Sequence, residues 1–516
     1  MTTMASDDSE ITSPLLAVAA AKPVSMNIDE MLKTHCGEFG PWQLKHFLLT
    51  CTAWALEAFF TMVMIFADHE PEVTCGAGST GSRCDVCRLD PGSWEWVGGP
   101  HVSTVAEWGL VCGEKYKVGL VQSVFFFGCL VGAGIFGHLS DSFLGRKGSL
   151  TIVCIMSSVF GCLTAFSPNY WFYGAMRFFT GVSTGGIGLC AFVLATEPVG
   201  PSKRGTAGMS TFYFFSCGIA LLPVIAYLFP TWRALYLASS IPSIIFLVAF
   251  IPFISESPRW YLVRGKVDKA MGVMRKIAKG NGRHLPENVQ LALDFQSESS
   301  KLDGEEGAAA GSILDVVRSP LTRFRLVLAV IISFLCSIVY YGLSLNVVNL
   351  GTNLYLNVAL NAVAELPAFF ITAVMINIVG RKPMSIVTLW FSGVFCLVGS
   401  LIKPVEAWKI VRMVCGIFGI FGMAGTYNLL FIYTIELFPT VVRNAALGCA
   451  TQASHMGAIL APLVVVMGGG FPFAVFGFCG VIGGILAFYL PETLNRPLYD
   501  TLTGMEEGEK EGAVEV

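Results

Sequence analysis

The sequence predicts an all-α membrane protein with twelve transmembrane helices in two six-helix halves of like layout, and three observations predict it. Of 516 residues, 54% are hydrophobic and 13% charged, and the mean hydropathy is +0.65, well above the range of soluble domains. Twelve apolar windows are long enough to cross a hydrocarbon core, which takes roughly 20 helical residues. Short motifs also recur at a nearly constant offset. Gly145-Arg146-Lys147 returns as Gly380-Arg381-Lys382 (offset 235), Glu197 with Arg204 as Glu436 with Arg443 (offset 239), and Glu256-Ser257-Pro258 is answered by Pro491-Glu492-Thr493 (offset 236). In a membrane chain, duplication of this kind marks the two-repeat layout of secondary transporters.

Taken in order, residues 1–43 form a polar tail without the basic start and apolar core of a signal peptide, so the first span must direct insertion. Leu15-Leu16 after Asp7, Asp8 and Glu10 reads as disordered acidic tail, with a loose likeness to a dileucine sorting signal. The first half, 44–254, carries spans at 44–67, 117–138, 148–166, 171–196, 207–229 and 233–254, with a long polar loop at 69–116. A linker at 255–324 mixes basic helix formers (Lys269 to Lys279) with a Ser-, Glu- and Gly-rich stretch, and reads as short surface helices and flexible chain. The second half, 325–490, carries spans at 325–346, 352–378, 383–402, 408–435, 445–467 and 471–490. An acidic tail, 491–516, closes the chain. Arg146, Lys147, Lys203, Arg204, Arg381, Lys382 and Arg443 gather on one side, and the opposite turns at 167–170, 347–351 and 468–472 are uncharged. The positive-inside bias therefore assigns both termini and the Gly-Arg-Lys turns to the cytosol.

Of sixteen cysteines, twelve are scattered, nearly all in apolar segments, where a thiol is a small buried hydrophobe. Cys75, Cys84, Cys87 and Cys112 cluster in the 69–116 loop, which predicts two disulfides on an oxidising side, with three pairings open. Cys84-x-x-Cys87 as a zinc or redox motif lacks a second close pair, so no metal site is expected. The net charge of −3 and the lack of a basic patch interleaved with aromatics give no sign of a nucleic-acid partner. Gly132-Ala133-Gly134-Ile135-Phe136-Gly137 matches a dinucleotide motif by letter but lies within an apolar span with no strand before it, so close helix packing explains it, as it does Gly181, Gly185 and Gly186. The P-loop pattern is absent, no nucleophile, base and orienting group occur together, and neither a cofactor nor an enzymatic activity is expected.

Arg177-x-x-x-Gly181 also recurs, as Arg412-x-x-x-Gly416. Any single basic residue here is explained as a membrane anchor; paired recurrence instead suggests a gate. The expected gating set is Asp141, Arg146, Lys147, Arg177, Glu197, Arg204, Glu256, Arg259, Arg381, Arg412, Glu436 and Arg443, all at cytosolic helix ends. One exposed ion pair contributes only about 0–1 kcal/mol, so several are needed to bias two states.

The chain resembles the organic cation/carnitine transporters of the major facilitator superfamily, the plant members above all. The resemblance runs through Gly37-Glu38-Phe39-Gly40-Pro41-Trp42-Gln43, Glu107-Trp108, Val111-Cys112, Gly200 to Gly208, Glu256-Ser257-Pro258-Arg259-Trp260 and Tyr433 to Asn444. It implies alternating access in a major facilitator fold, a small organic cation or zwitterion such as carnitine or another quaternary amine as substrate, and residence in the vacuolar or plasma membrane; a proton or sodium ion is the expected coupling partner, proton coupling resting on Glu57 and His455 alone. Two departures stand out. Asp141-Ser142-Phe143-Leu144-Gly145-Arg146 has one residue more than the superfamily's loop and lacks its first Arg, and Asn377 stands where Asp is usual.

Ionisable groups inside a membrane mark substrate pathways, because each costs about 2.5–3.5 kcal/mol or more. Glu57 lies 12 residues past Lys45, or about 18 Å along a helix, beside Trp54 and Phe59. An acid among rings suits an ammonium group; an acid near the outer interface is the plainer alternative. His455 lies 12 residues past Arg443, at a position that resembles Asp in cation-selective relatives and Arg in carnitine- or anion-selective ones. A histidine there reads substrate charge, relays protons or bonds a neighbouring helix. Tyr340, Tyr341, Asn346, Glu365, Tyr427 and Asn428 complete the expected pocket lining, although Glu365 equally suits backbone freed by Pro367. Two further readings stay open: a sugar or organic-anion porter of the same fold, and a membrane sensor that binds without translocating.

Overall fold

The computed structural model describes residues 24–75, 79–80, 86–88, 93–291, 313–403, 405–494, 502 and 504–506. Among the described residues, twelve helices traverse the molecule in alternating directions. The first half contains α1 (Pro41–Met62), α2 (Tyr116–Asp141), α3 (Gly145–Ala165), α4 (Tyr170–Thr196), α5 (Pro201–Leu228) and α6 (Trp232–Ala249). The second contains α7 (Pro320–Leu345), α8 (Leu354–Met375), α9 (Arg381–Leu401), α10 (Lys409–Leu437), α11 (Thr440–Val466) and α12 (Phe471–Ala487). Among the described residues, eleven helices are long and apolar enough to span a membrane, and α12 is a shorter apolar helix. Helices prevail because hydrocarbon offers no partner to a free N–H or C=O, and a helix satisfies both within itself.

Local chemistry sets the helix starts. Pro41, Pro201 and Pro320 occupy first-turn positions where a missing N–H costs nothing. Asn169 and Asn353 accept the N–H of Phe172 at 3.0 Å and of Leu356 at 3.1 Å, as good N-caps do. Large apolar side chains such as Leu221, Val224, Val248, Phe370 and Phe478 face outward, forming the girdle that meets lipid. Inside the first half, α2 and α4 lie in backbone contact: a Cβ on Gly132 would sit 1.9 Å from the carbonyl oxygen of Val182. The packing explanation of the glycine motif therefore holds for Gly132, whereas Gly134 in the same motif faces open space.

The halves meet along two seams, α2 against α11 and α5 against α8. Seven residues into α2, the Ser123 hydroxyl donates to the Ile459 carbonyl at 2.7 Å. Rings close the same end, Phe66 stacking on Tyr355 at 5.3 Å and Tyr227 meeting its edge at 6.1 Å. Toward the opposite end, Phe192 of α4 meets Phe431 of α10 at 5.3 Å.

The loop between α1 and α2 carries a three-stranded antiparallel sheet of Ser79–Thr80, Val73–Cys75 and Trp94–Trp96. Cys87 is bonded to Cys112 and Cys75 is also disulfide-bonded; Cys84 lies outside the described residues. Trp108 packs among Tyr170, Tyr173 and Trp232. Glu107 accepts hydrogen bonds from Arg233 and from the Trp232 indole at 2.7 Å. Burial alone would raise the Glu107 carboxyl, but Arg233, Trp232 and His101 hold it below the ordinary carboxylate range.

Part of the polar tail expected over residues 1–43 docks on the linker. Val24–Met26 pairs in parallel with Val289–Leu291 of the linker. Ile28, Met31, Leu32 and Cys36 share an apolar core with Met271, Met274 and Ile277 of the linker helix Val267–Gly280. Asn281 accepts from the Trp42 N–H at 3.0 Å and donates to the Cys36 carbonyl at 2.8 Å. The dileucine at 15–16 lies outside the described residues.

Candidate functional site between the halves

The Gly-Arg-Lys turns are built alike in both halves. Gly145 and Gly380 hold positive φ of 80° and 103°, which places a distant carboxylate over the helix start that follows. Glu256 accepts the N–H groups of Arg146 at 3.0 Å and Lys147 at 3.1 Å. Glu492 accepts those of Arg381 and Lys382, both at 3.0 Å. Each glutamate thus caps a helix N-terminus, where free N–H groups and the helix dipole favour an anion. Burial pushes the Glu492 carboxyl up, yet the N–H groups of Leu494, Arg381, Lys382 and Thr493 bring it below its usual value.

The arginine side chains of the two turns point to the neighbouring helix of their own half. Arg146 bridges Asp141 at 2.9 Å and Glu197 at 3.2 Å, whereas Arg381 pairs with Glu436 at 2.9 Å and with no acid at 377. Asn377 donates instead to the Ala373 carbonyl at 3.3 Å. Arg204 and Arg259 share Asp29 of the N-terminal segment, while Arg443 donates to the Phe438 carbonyl at 3.3 Å. In this arrangement the Arg146 and Arg381 pairs lie within a half, and the Asp29 pairs tie the N-terminal segment to α5 and to the linker.

Arg177 and Arg412 were expected at the same ends, and the structure places them at the opposite ones. Each stands near the start of a helix that begins away from the Gly-Arg-Lys turns. Arg177 is almost wholly buried; it donates to the Phe60 carbonyl at 3.2 Å and lies 4.1 Å from the Phe125 ring centroid. Arg412 donates to the Gly469 carbonyl and lies over Phe473. Both fasten the loop-69–116 end of their half, where Tyr173 and Thr104 donate to the buried Asp68, each at 2.7 Å.

At mid-height, rings from both halves form a continuous cage. Trp54 of α1 meets Phe212 of α5 at 5.4 Å, Phe212 meets Tyr427 of α10 at 6.4 Å, and Tyr427 stacks on Tyr340 of α7 at 5.0 Å. Tyr341 joins Tyr340 at 5.3 Å and Phe126 of α2 at 4.9 Å. Glu57 lies against Gly188 of α4, where a Cβ would come within 2.4 Å of its Oε2. It is in electrostatic reach of Tyr341, Tyr427 and Cys129. Its Oε2 is buried and has no hydrogen-bond partner among the described residues, as is true of Trp54 Nε1 and Asn428 Nδ2.

Glu365 is differently placed. It is 1% exposed and accepts from Tyr340 at 3.2 Å on one oxygen and from Ser216 of α5 on the other. These bonds, rather than backbone freed by Pro367, engage its carboxylate. Two expected members are elsewhere. Phe59 is buried in the apolar core and makes none of the ring contacts of the cage. Asn346 begins the short turn after α7, bonded by Asn349 at 2.8 Å, five residues beyond Tyr341. His455 shares a helical face with Ile459, one turn on, the residue whose carbonyl meets α2. Phe126, Phe212 and Ser216 were missed because an aromatic or a serine in an apolar helix carries no positional signal of its own.

A twelve-helix bundle in two like halves, with a site at their interface near mid-height, defines a membrane transporter of the major facilitator type. Residues 82–503 match the family described as "Sugar (and other) transporter". The chain is 68% identical to organic cation/carnitine transporter 4 of Arabidopsis thaliana, over 94% of this chain and 92% of that one. It is 34% identical to a solute carrier family 22 member 15-like protein of Xenopus tropicalis, over 93% and 96% respectively. A partially occluded inward-open structure of the xylose transporter XylE from E. coli superposes with a TM-score of 0.62 at 18% identity, covering 88% of this chain and 98% of that one. The chain therefore belongs to the organic cation/carnitine transporter family of the major facilitator superfamily, and it is a transporter rather than an enzyme.

Proposed function

We propose that the protein carries small organic cations or zwitterions of the quaternary-amine type by alternating access, with Glu57 receiving the ammonium group inside the aromatic cage. The observation that carries this reading is a buried carboxylate oxygen of Glu57 that has no hydrogen-bond partner among the described residues, one turn along α1 from Trp54 and in electrostatic reach of Tyr341 and Tyr427. A buried acid is costly unless something compensates it, and a cation over ring faces gains about 0.5–2 kcal/mol from each well-placed ring. The Gly-Arg-Lys ends are assigned to the cytosol on the positive-inside bias. A proton or sodium ion is the proposed coupling ion, with Glu57 and His455 as the groups facing it.

The test is uptake of radiolabelled carnitine and tetraethylammonium into proteoliposomes, with and without a pH or sodium gradient, for wild type and Glu57→Gln. Accumulation of either cation, reduced about tenfold or more in Glu57→Gln at subsaturating substrate, supports the reading. Accumulation of a sugar or organic anion and of neither cation would refute it, and binding without accumulation would favour a sensor.

A further inference from the structure

We propose that Ser216 is a positioning residue: its hydroxyl, on α5 of the first half, holds the Glu365 carboxylate on α8 of the second, and this bond couples site occupancy to the movement of the halves. Glu57 is then the acid that meets the cation. The inference rests on the transport reading above and divides labour between its two acids.

Three observations carry it. The first is the contrast in satisfaction: both oxygens of Glu365 are engaged, by Tyr340 and by Ser216, whereas Glu57 Oε2 has no partner among the described residues. An arriving cation meets the unengaged carboxylate with less to displace. The second is location. Ring contacts lie on the same seam, Phe212 tilted against Phe369 at 6.1 Å and Tyr213 edge-on to it at 5.6 Å, and rings slide with little angular demand. A hydrogen bond to a buried carboxylate is directional and costly to leave unmade, so among these contacts it is the one with a sharp optimum.

The third is what Ser216 does not do. Ser210 and Thr211, on the same helix, turn their hydroxyls back to the carbonyls of Thr206 and Gly208, the local bond that serines and threonines in helices commonly make. Ser216, wholly buried, reaches across the seam instead. When the seam parts, the Phe212 carbonyl one turn back offers the hydroxyl that local bond, and Tyr340 stays with Glu365. Both arrangements then leave the polar groups bonded, as a two-state element requires.

The experiment uses the full chain in lipid nanodiscs, as wild type, Ser216→Ala, Ser216→Thr and Glu57→Gln. Spin labels attached through a bio-orthogonal side chain at Lys203 and Asn444 report the separation of the halves without ligand, and equilibrium binding of tetraethylammonium reports the site. Ser216→Ala should move the ligand-free population about tenfold away from the separation of this arrangement, the effect of one lost bond to a charged acceptor. It should weaken tetraethylammonium binding only as far as that shift depletes the binding-competent arrangement, by no more than the same factor of about ten, because coupling is reciprocal. Ser216→Thr should restore the wild-type distribution, and Glu57→Gln should lose affinity without moving it. An unchanged distribution in Ser216→Ala, or a loss of affinity exceeding the measured shift in population, would overturn the proposal. Should wild type bind neither tetraethylammonium nor carnitine, the reading under Proposed function falls, and the ligand-free separation still decides the role of Ser216.

Discussion

Truncating Glu492 should loosen the start of α9 and leave the start of α3 untouched. The carboxylate accepts four N–H groups, two from the first turn of α9 (Arg381 and Lys382, 3.0 Å each) and two from its own strand of chain (Thr493 and Leu494, 2.8 Å each). Losing an N-cap side chain costs about 0.5–2 kcal/mol, and bonds to a charged acceptor sit higher, at about 1.5–3 kcal/mol. Glu492 is half-buried, so water can reach some of the freed groups, and about 2 kcal/mol is the sensible figure for Glu492→Ala. That corresponds to amide exchange roughly 30-fold faster in the first turn of α9 wherever exchange follows local opening. Hydrogen-exchange mass spectrometry of the lipid-reconstituted protein reads this in peptides covering 380–388 and, as an internal control, 145–153. Glu256→Ala should produce the reciprocal pattern. Exchange unchanged at 380–388 in Glu492→Ala, or lost equally at both starts, would refute the capping argument.

Two further outcomes follow from the same geometry. Because the folded Glu492 carboxyl lies below its usual value, its contribution is complete above the ordinary glutamate pKa of about 4.3 and lost as pH falls through the lower folded value; protection at 380–388 should persist to about pH 4.5 and fall below it, with a flat profile in Glu492→Gln. Gly132→Ala should prevent stable packing of α2 on α4, since its Cβ would overlap the Val182 carbonyl at 1.9 Å, whereas Gly134→Ala meets open space and should gain up to about 1 kcal/mol of helix stability; the yield of monodisperse protein and its thermal unfolding midpoint separate the two.

The span count and the two halves were legible because lipid imposes long apolar runs, and because the repeated motifs mark helix ends, where basic residues cluster. Glu57 stands out as a candidate for a related reason: an acid in such a run is conspicuous. Phe59 and Asn346 show where this stops, since membership of a cage depends on the angle around the helix, and a span that is apolar on all sides hides that angle. The rings of Phe126 and Phe212 were hidden equally well. Arg177 and Arg412 were misplaced for a different reason. Their spacing repeats faithfully, but a repeat does not say which end of the helix it marks; the uncharged turn just before Tyr170 held that information. Docking of the N-terminal segment depends on apolar side chains from two stretches more than 200 residues apart, each too short to show a period alone.

That docking has a consequence for the order in which the molecule can be completed. Val24 pairs with Val289, 265 residues later in synthesis, which at roughly 5–20 residues per second means about 13–53 s on the ribosome. All six helices of the first half leave the ribosome in that interval. Until the linker strand appears, Met31 and Leu32 have no apolar partner from it, and the N-terminal strand has no edge to join. The first described residues of the chain are thus among the last of the first half to find their place, and nascent chains arrested before the linker helix at residue 267 should leave residues 24–36 open to protease.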